Sequence, residues 1–477
     1  MKLYSNSALL EKYSRDRSIY QIKPKYVCFP KNESDLIEIV RFAKQNKVPI
    51  IPRGGGTGLS GSAIGKGIVI DFSKYFTKIY KIGKITRVQS GILLKELRPK
   101  LEKAGYMLPS VPLHGYCAIG GNVNTRSIGH RTLKYGTMDK QVKSVRGILA
   151  DGRILDTSSE KKIPNVIKEN ILKLRNKIKK EKALIEYLKS RPLVAGGYNL
   201  LSLINNKKTN DIITHLIVGS VGTLLLLTEV SLKLPKYKEF DDVYLIHFKD
   251  LDCFQKTLNN LIKNKVTSVE YAEKENLELW AREFRHPEAK YTMIVAFENH
   301  KDIKKIVIGA LETKNIIGKK RKKLWKSRAG ALPMSEKKAK EIGFDVPSGI
   351  DDTSIKPEDF SKVRLEVERY SKKSGIPISA FGHVAVGSIH LKPLIDMKNH
   401  PEKLDKVGKD IFKILRKYKG TLVGEHNSGL CRSRYLPMES KKMYLYMKKV
   451  KNIFDPENIL NPRVMFNLEP ITNNLGV

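Results

Sequence analysis

Residues 52–63 read PRGGGTGLSGSA, and no other stretch constrains the chain so much. Five glycines, Gly54, Gly55, Gly56, Gly58 and Gly61, follow directly on an apolar run that reads as a strand. Glycine takes positive φ without penalty and carries no Cβ, so a strand ending in such a run can turn sharply and bring successive backbone N–H groups close to an anion. The turn continues into neither the helix of a dinucleotide fingerprint nor the lysine of a GxxxxGK[ST] loop. The residues alone admit two readings, a phosphate cradle and a glycine-rich surface loop.

The flanking sequence sets this turn in an α+β framework. In SDLIEIVRFAKQNK, Leu36, Ile39, Val40 and Ala43 share one helical face, with Ser34 as the expected cap. VPIIPR and GIVIDF read as buried strands, and Leu94, Leu97 and Leu101 mark a helix closed by Gly105. A second glycine-dense stretch spans residues 119–136, and VKSVRGILADGRILD reads as two strands around an Asp151-Gly152 turn. Residues 160–190 are lysine-rich with helical spacing, and THLIVGSVGTLLLLTEVSLKL reads as a return to strand. A break at Pro235-Lys236-Tyr237 sets the first domain boundary. Beyond it, DLDCFQKTLNNLIKNK with SVEYAEKENLELWAREF, then YTMIVAFENH, suit an antiparallel sheet covered by helices.

Composition narrows the classes. The 477 residues are 41% hydrophobic, enough for several packed domains. With 89 Lys+Arg against 49 Asp+Glu, the formal net charge is +40, so anionic partners come into question. The charge is diffuse and mostly lysine, dense only over residues 173–182 and 319–328, which speaks for a solvated surface over a dedicated nucleic-acid groove. Cys28, Cys117, Cys253 and Cys431 are isolated, so neighbouring cysteines build no zinc or iron–sulfur ligand set. A reducing cytoplasmic setting is expected, since the first residues lack the apolar core of a secretory signal. The most apolar stretch, 216–228, falls short of the roughly 20 residues of a membrane-spanning helix.

Both glycine stretches, in this order, resemble the FAD-binding domain of the vanillyl-alcohol oxidase type. PxxVxxP at 24–30, IGGNV at 119–123, KYG at 134–136, LADG at 149–152, GGYNL at 196–200 and VGSVGTL at 218–224 are similar to the FAD-linked family that contains D-lactate dehydrogenases, the glycolate oxidase flavoprotein subunit and D-2-hydroxyglutarate dehydrogenase. The resemblance implies an FAD-binding domain of two subdomains over 1–236, a substrate cap over 237–420 and a C-terminal segment, 421–477, that returns to the flavin. By it, Arg53, Gly54, Gly55, Gly56, Thr57, Gly58 and Leu59 cradle the FAD pyrophosphate, and Ser110, Gly120, Gly121, Asn122, Thr125 and Ile217 lie along the rest of the cofactor. Val221 stands where relatives commonly carry Glu. Residues 53–63 hold no histidine, so noncovalent FAD is expected. The tail DPENILNP is similar to the family's DPxxxLNP, in which Asn461 would approach the flavin.

FGHVAVGSIH places His383 and His390 on either side of a glycine turn, and GEHNSG sets Glu425 beside His426. Two imidazoles and a carboxylate with open positions suit a divalent ion such as Zn²⁺ or Mn²⁺, and they equally suit a hydrogen-bonded structural cluster. The family motifs GHxGDGNxH and GEHG favour the metal for His383, His390 and Glu425, although Ala385, Val386 and Ser388 replace Gly, Asp and Asn.

The chemistry so implied is oxidation of a D-2-hydroxy acid, such as D-lactate or glycolate, to the 2-oxo acid by hydride transfer to flavin. It needs a base for the hydroxyl proton, for which His426 is the candidate, and a cation for the carboxylate, for which Arg328 in LWKSRAG is the candidate. Electrons must leave to a separate acceptor, a quinone, an iron–sulfur protein or an electron-transfer flavoprotein. Two alternatives stand beside this reading: the flavoprotein subunit of a glycolate oxidase-like complex, and a nonenzymatic anion-binding protein. Peripheral contact with the inner face of a membrane is compatible with the charge. The residues set no oligomeric state.

Overall fold

The computed structural model describes residues 2–476 and contains three sheets. The first comprises β1 (Leu3–Tyr4), β2 (Tyr26–Cys28), β3 (Ile50–Arg53) and β4 (Ile68–Asp71), in the order β1-β2-β4-β3. Strand β4, IVID, is parallel to both neighbours and buried at every position, as an uninterrupted apolar run inside a parallel sheet must be. Helix Glu33–Gln45 makes the crossover from β2 to β3 and buries Leu36, Ile39, Val40 and Ala43. Its cap is Asn32, whose side chain accepts from the Asp35 amide, so Ser34, the expected cap, lies inside the first turn. The amide carbonyl of Asn32 reaches the third helical N–H, a geometry that Ser34 loses once Glu33 is helical.

The second sheet is antiparallel, with β5 (Ile79–Lys81), β6 (Ile85–Gln89), β7 (Val142–Ile148), β8 (Ile154–Asp156) and β9 (Leu226–Lys233) in the order β5-β6-β9-β7-β8. Here the expected strand from Thr214 onward is overturned. Thr209–Ile217 is a helix buried on nearly all sides, and strand begins only at Leu226, after Gly219 and Gly222 at φ +92° and +72°. A short apolar run carries no period that separates a buried helix from a buried strand.

The third sheet has seven strands, β10 (Asp242–Phe248), β11 (Ser268–Glu273), β12 (Tyr291–Phe297), β13 (Glu312–Asn315), β14 (Asp352–Ser354), β15 (Ile378–His383) and β16 (Ser388–Pro393). They run in the order β13-β10-β12-β11-β15-β16-β14, with every pairing antiparallel. The sheet is covered on both faces, which explains why β12 is buried at every residue. Ile246, Tyr271, Met293 and Val295 meet Phe254 and Phe360 on one face. Val243, Leu245, Ala272, Ile294 and Phe381 meet Leu324 and Ala331 on the other, so strand alternation divides the residues between two cores. Helices Gly318–Ala329 and Ala331–Glu341 cover this second face, and it is the face that carries the candidate site. No helix of the described residues is long and apolar enough to cross a membrane.

Phe254 is fully buried and meets Phe248, Tyr271, Tyr291 and Phe360 at ring centroid distances of 5.2–6.3 Å. Phe254→Ala is expected to destabilise the chain by about 3–5 kcal/mol, read as an earlier denaturant unfolding midpoint.

Candidate active site

A cavity of about 280 Å³ opens where the two glycine stretches face the third sheet. Its walls take Pro52 to Ser60 and Cys117 to Thr125 from one side, and Arg328, Leu332, Phe381, His383, His390, Lys392, Glu425 and His426 from the other. Arg53 to Leu59, Gly120, Gly121, Asn122 and Thr125 all line it. Ser110, Ile217 and Asn461 do not. The Ser110 hydroxyl donates to the Gly136 carbonyl, and Ile217 ends a buried helix. The Asn461 amide donates to the carbonyls of Ser62 and Val221, both at 2.9 Å, and so pins the far end of the glycine turn.

The glycines divide by function. A Cβ on Gly54 would stand 2.7 Å from Ala118 Cβ, one on Gly120 would stand 2.8 Å from Ser90, and one on Gly55 would collide with the Tyr116 carbonyl. Gly54 and Gly55 let the two loops lie against each other, and Gly120 lets the second loop lie against the end of β6. Gly121 differs, because a Cβ there meets no protein atom within 4 Å although the residue is on the cavity wall. The space beside it belongs to the cavity and accepts a ligand in contact with backbone.

The histidines follow from strand period. In the β15–β16 hairpin Phe381 pairs with His390, so Phe381, His383, His390 and Lys392 share one face. The connecting turn needs Gly387, at φ +75°, whose Cβ would strike the Ile355 carbonyl. Val386, where relatives carry Asp, is buried among Ile128 and Val194. Ser388, where relatives carry Asn, donates a 2.8 Å hydrogen bond to Glu425 Oε2.

Asp352 on β14 positions the segment carrying Glu425 and His426, whose backbone N–H groups both donate to its carboxylate at 3.0 Å. Buried Arg432 completes the anchor at 2.6 Å. The same segment clips onto the glycine turn, with the Leu430 amide donating to Ser60 O at 2.7 Å and Ser60 Oγ donating to His426 O at 3.3 Å.

Glu425 Oε1 lies 3.2 Å from His390 Nε2 and 3.3 Å from His426 Nε2, and its Oε2 lies 3.9 Å from His383 Nε2. Ligand atoms about 2.0–2.2 Å from a tetrahedral zinc stand roughly 3.4 Å apart, so His383, His390 and Glu425 fit a divalent ion. His390 also belongs to a second trio with Asp352 and His426. That trio fits less well, since the Asp352 oxygens are already engaged by Arg432 and two amides. The Nδ1 atoms of His390 and His426 are buried without a hydrogen-bond partner.

Glu270 is the residue the sequence reading missed. It is fully buried on β11, beside the Tyr271–Gly382 pair, and joins two candidates at once. Its Oε1 lies 2.5 Å from His383 Nδ1, and its Oε2 accepts from Arg328 Nε at 2.9 Å with Nη2 at 2.8 Å. Holding Nδ1 leaves His383 Nε2 to face Glu425, the arrangement by which a carboxylate orients a metal-binding imidazole. Arg328 is thereby half engaged, with Nη1 left over and its guanidinium 5.1 Å above the Phe381 ring. Lys392, also missed, lines the cavity and pairs with Asp351. A charged residue within a short strand that is otherwise read as buried, Glu270 in SVEYAE and Lys392 in SIHLKP, was the available signal.

These contacts order the charges. Burial opposes ionisation of Glu270, but His383 and Arg328 outweigh it and hold the carboxyl near pKa 2. Burial likewise opposes the His383 imidazolium, yet Glu270 and Glu425 raise that pKa. Burial dominates at His426, lowers its pKa and favours the neutral imidazole.

Comparison with known proteins accords with this geometry. Residues 24–158 match the family described as an FAD binding domain, and residues 238–465 match the C-terminal domain of FAD linked oxidases. The chain belongs to the FAD-linked oxidases. It is 28% identical to D-2-hydroxyglutarate dehydrogenase of Escherichia coli (strain K12), over 94% of this chain and 49% of that protein. It is 28% identical to glycolate oxidase subunit GlcD of Bacillus subtilis (strain 168), over 94% of this chain and 90% of GlcD. D-lactate dehydrogenase of Archaeoglobus fulgidus is 26% identical, over 91% and 89%. The chain therefore spans about half the length of the D-2-hydroxyglutarate dehydrogenases it matches. A solved alkyldihydroxyacetonephosphate synthase, 18% identical, shares the fold with a TM-score of 0.66 over 97% of this chain and 83% of that one.

Two outcomes are expected. Gly121→Val, which has room in the protein, should fold normally and lose the visible absorbance of bound FAD. Glu270→Ala leaves Arg328 and His383 buried without their carboxylate and should cost about 3–5 kcal/mol in denaturant unfolding.

Proposed function

We propose that this chain is an FAD-dependent dehydrogenase that oxidises a D-2-hydroxy acid to the corresponding 2-oxo acid. The observation that carries this reading is the convergence of His383, His390, Glu425, His426, Arg328 and Lys392 on the wall of the cavity that Gly121 lines. FAD is held noncovalently, since no histidine occurs in residues 53–63. Bound FAD supplies a two-electron acceptor for the hydrogen on the substrate Cα. His383, His390 and Glu425 would hold a zinc or manganese ion, which would supply a Lewis acid toward the substrate hydroxyl.

The chain's own groups do the rest. His426, neutral through burial, accepts the hydroxyl proton, and Glu425 beside its Nε2 stabilises the imidazolium that forms. Arg328 Nη1, fixed by the bonds Glu270 makes to Nε and Nη2, binds the substrate carboxylate, and Lys392 on the same wall is neutralised by its pair with Asp351. Phe381 and Leu332 exclude water around them. Coverage of 90% of GlcD favours a second form of the same reading, in which this chain is the flavoprotein subunit of a larger complex.

The test is anaerobic stopped-flow reduction of the flavin by paired D- and L-2-hydroxy acids. The D-acids should bleach the flavin, and bleaching by neither series would overturn the proposal. His426→Ala should keep FAD and metal yet slow reduction by roughly 10²–10⁴-fold, whereas Arg328→Ala should chiefly raise the apparent substrate constant. Wild-type reduction rates in metal-free protein would remove the ion from the mechanism.

A further inference from the structure

One feature of the sequence has no place in this chemistry, the run of lysines on helix Gly318–Ala329. The helix has no acidic residue, and Leu324 and Arg328 form its buried stripe. Lys319, Lys322 and Lys326 are exposed on the opposite face, and Lys320 and Lys323 are exposed beside them, Lys320 at the start of the helix in line with the buried stripe. Of these, only Lys323 makes an ion pair among the described residues, with Glu283. The next helix, Ala331–Glu341, adds exposed Lys337 and Lys340, likewise without ion pairs among the described residues.

Apolar side chains bracket this charge. Ile317, immediately before the first helix, is 68% exposed, and Ile342, immediately after the second, is 63% exposed. They are the two most exposed aliphatic side chains among the described residues. Met334 and Phe344, each 39% exposed, lie on and beside the second helix. Lysines interspersed with exposed Ile, Met and Phe suit a surface that is anionic outside and apolar beneath, whereas an acidic protein surface would leave the apolar groups unmatched.

We propose that helices Gly318–Ala329 and Ala331–Glu341 form a docking surface for an anionic lipid bilayer. The charge complementarity is local: the densest basic helix of the chain coincides with its most exposed aliphatic residues. The inward faces of the same helices carry Arg328 and Leu332 into the cavity. A docked bilayer therefore lies against the roof of the proposed substrate site, where an apolar acceptor dissolved in lipid comes near it. The proposal goes beyond the dehydrogenase reading and does not depend on it.

The test is co-sedimentation of the full chain with vesicles of mixed phosphatidylglycerol and phosphatidylcholine, against phosphatidylcholine alone. Sedimentation with the anionic vesicles only is expected. Each lysine near an anionic leaflet raises partitioning roughly five-fold, so joint Lys319→Gln, Lys320→Gln, Lys322→Gln and Lys326→Gln should lower it by roughly 10²–10³-fold. The same exchange at Lys173, Lys177, Lys179 and Lys180, four exposed lysines of the other dense basic run, should leave binding nearly intact. Ile317→Asp with Ile342→Asp should abolish the part that survives high salt, where screening removes the electrostatic share. Equal loss in the two four-lysine variants would assign the effect to diffuse charge and overturn the proposal. So would failure of wild-type protein to sediment, including the case where it binds only an acidic protein.

Discussion

Glu270 is a carboxylate fully buried in a sheet covered on both faces, and such a group is costly unless cations meet it there. His383 and Arg328 do so, and the same contacts fix the orientation of both. The imidazole proposed to bind a metal and the guanidinium proposed to bind the substrate carboxylate, from strand and helix more than fifty residues apart, are thus set relative to one another by one buried group. Arg328 acquires from this a role the sequence did not indicate. Glu270 engages its fork through Nε and Nη2 and leaves Nη1 over.

The other half of the site depends on a comparable device. Asp352 accepts the amides of Glu425 and His426 and pairs with buried Arg432, so the tight segment around them has its polar groups satisfied from beneath. Gly424 permits the approach, since a Cβ there would stand 2.7 Å from Asp352 Oδ1. Because the same segment bonds to Ser60, the glycine turn and the histidine cluster are tied directly to one another. Asn461 adds a third tie from the C-terminal tail. Flavin cradle and chemistry-bearing side chains are therefore held in register by short bonds between distant parts of the chain.

Much of the architecture was legible because local pattern coincided with burial. Helix Glu33–Gln45, strands β3 and β4, the β7–β8 hairpin and the helix-covered antiparallel sheet all carry periods that a single sequence displays. Reading failed where local signals were ambiguous. Ser34 and Asn32 are both good caps, and only the backbone path decides between them. Within Thr209–Ile217 the apolar residues Ile212, Ile213, Leu216 and Ile217 do have helical spacing, but the run continues unbroken into the apolar residues of the following strand, so a reading that began at Thr214 saw no period. Val386 and Ser388 looked like losses from a family motif, yet one packs into a small core and the other bonds Glu425.

The sequence by itself determined which residues could bear the chemistry: glycines that let backbone approach an anion, two histidines and an adjacent Glu-His pair, and an arginine ending a basic run. Those properties reside in residue type and near spacing. Tertiary structure decided which of them act together and what each faces. Gly121 borders open space while Gly55 is packed against backbone, Glu270 and Lys392 join the site, and Ser110, Ile217 and Asn461 stand behind it. The physical reason is that burial, collision and pairing are properties of atoms that meet across long sequence separations. No local pattern encodes which strand face lies opposite which helix.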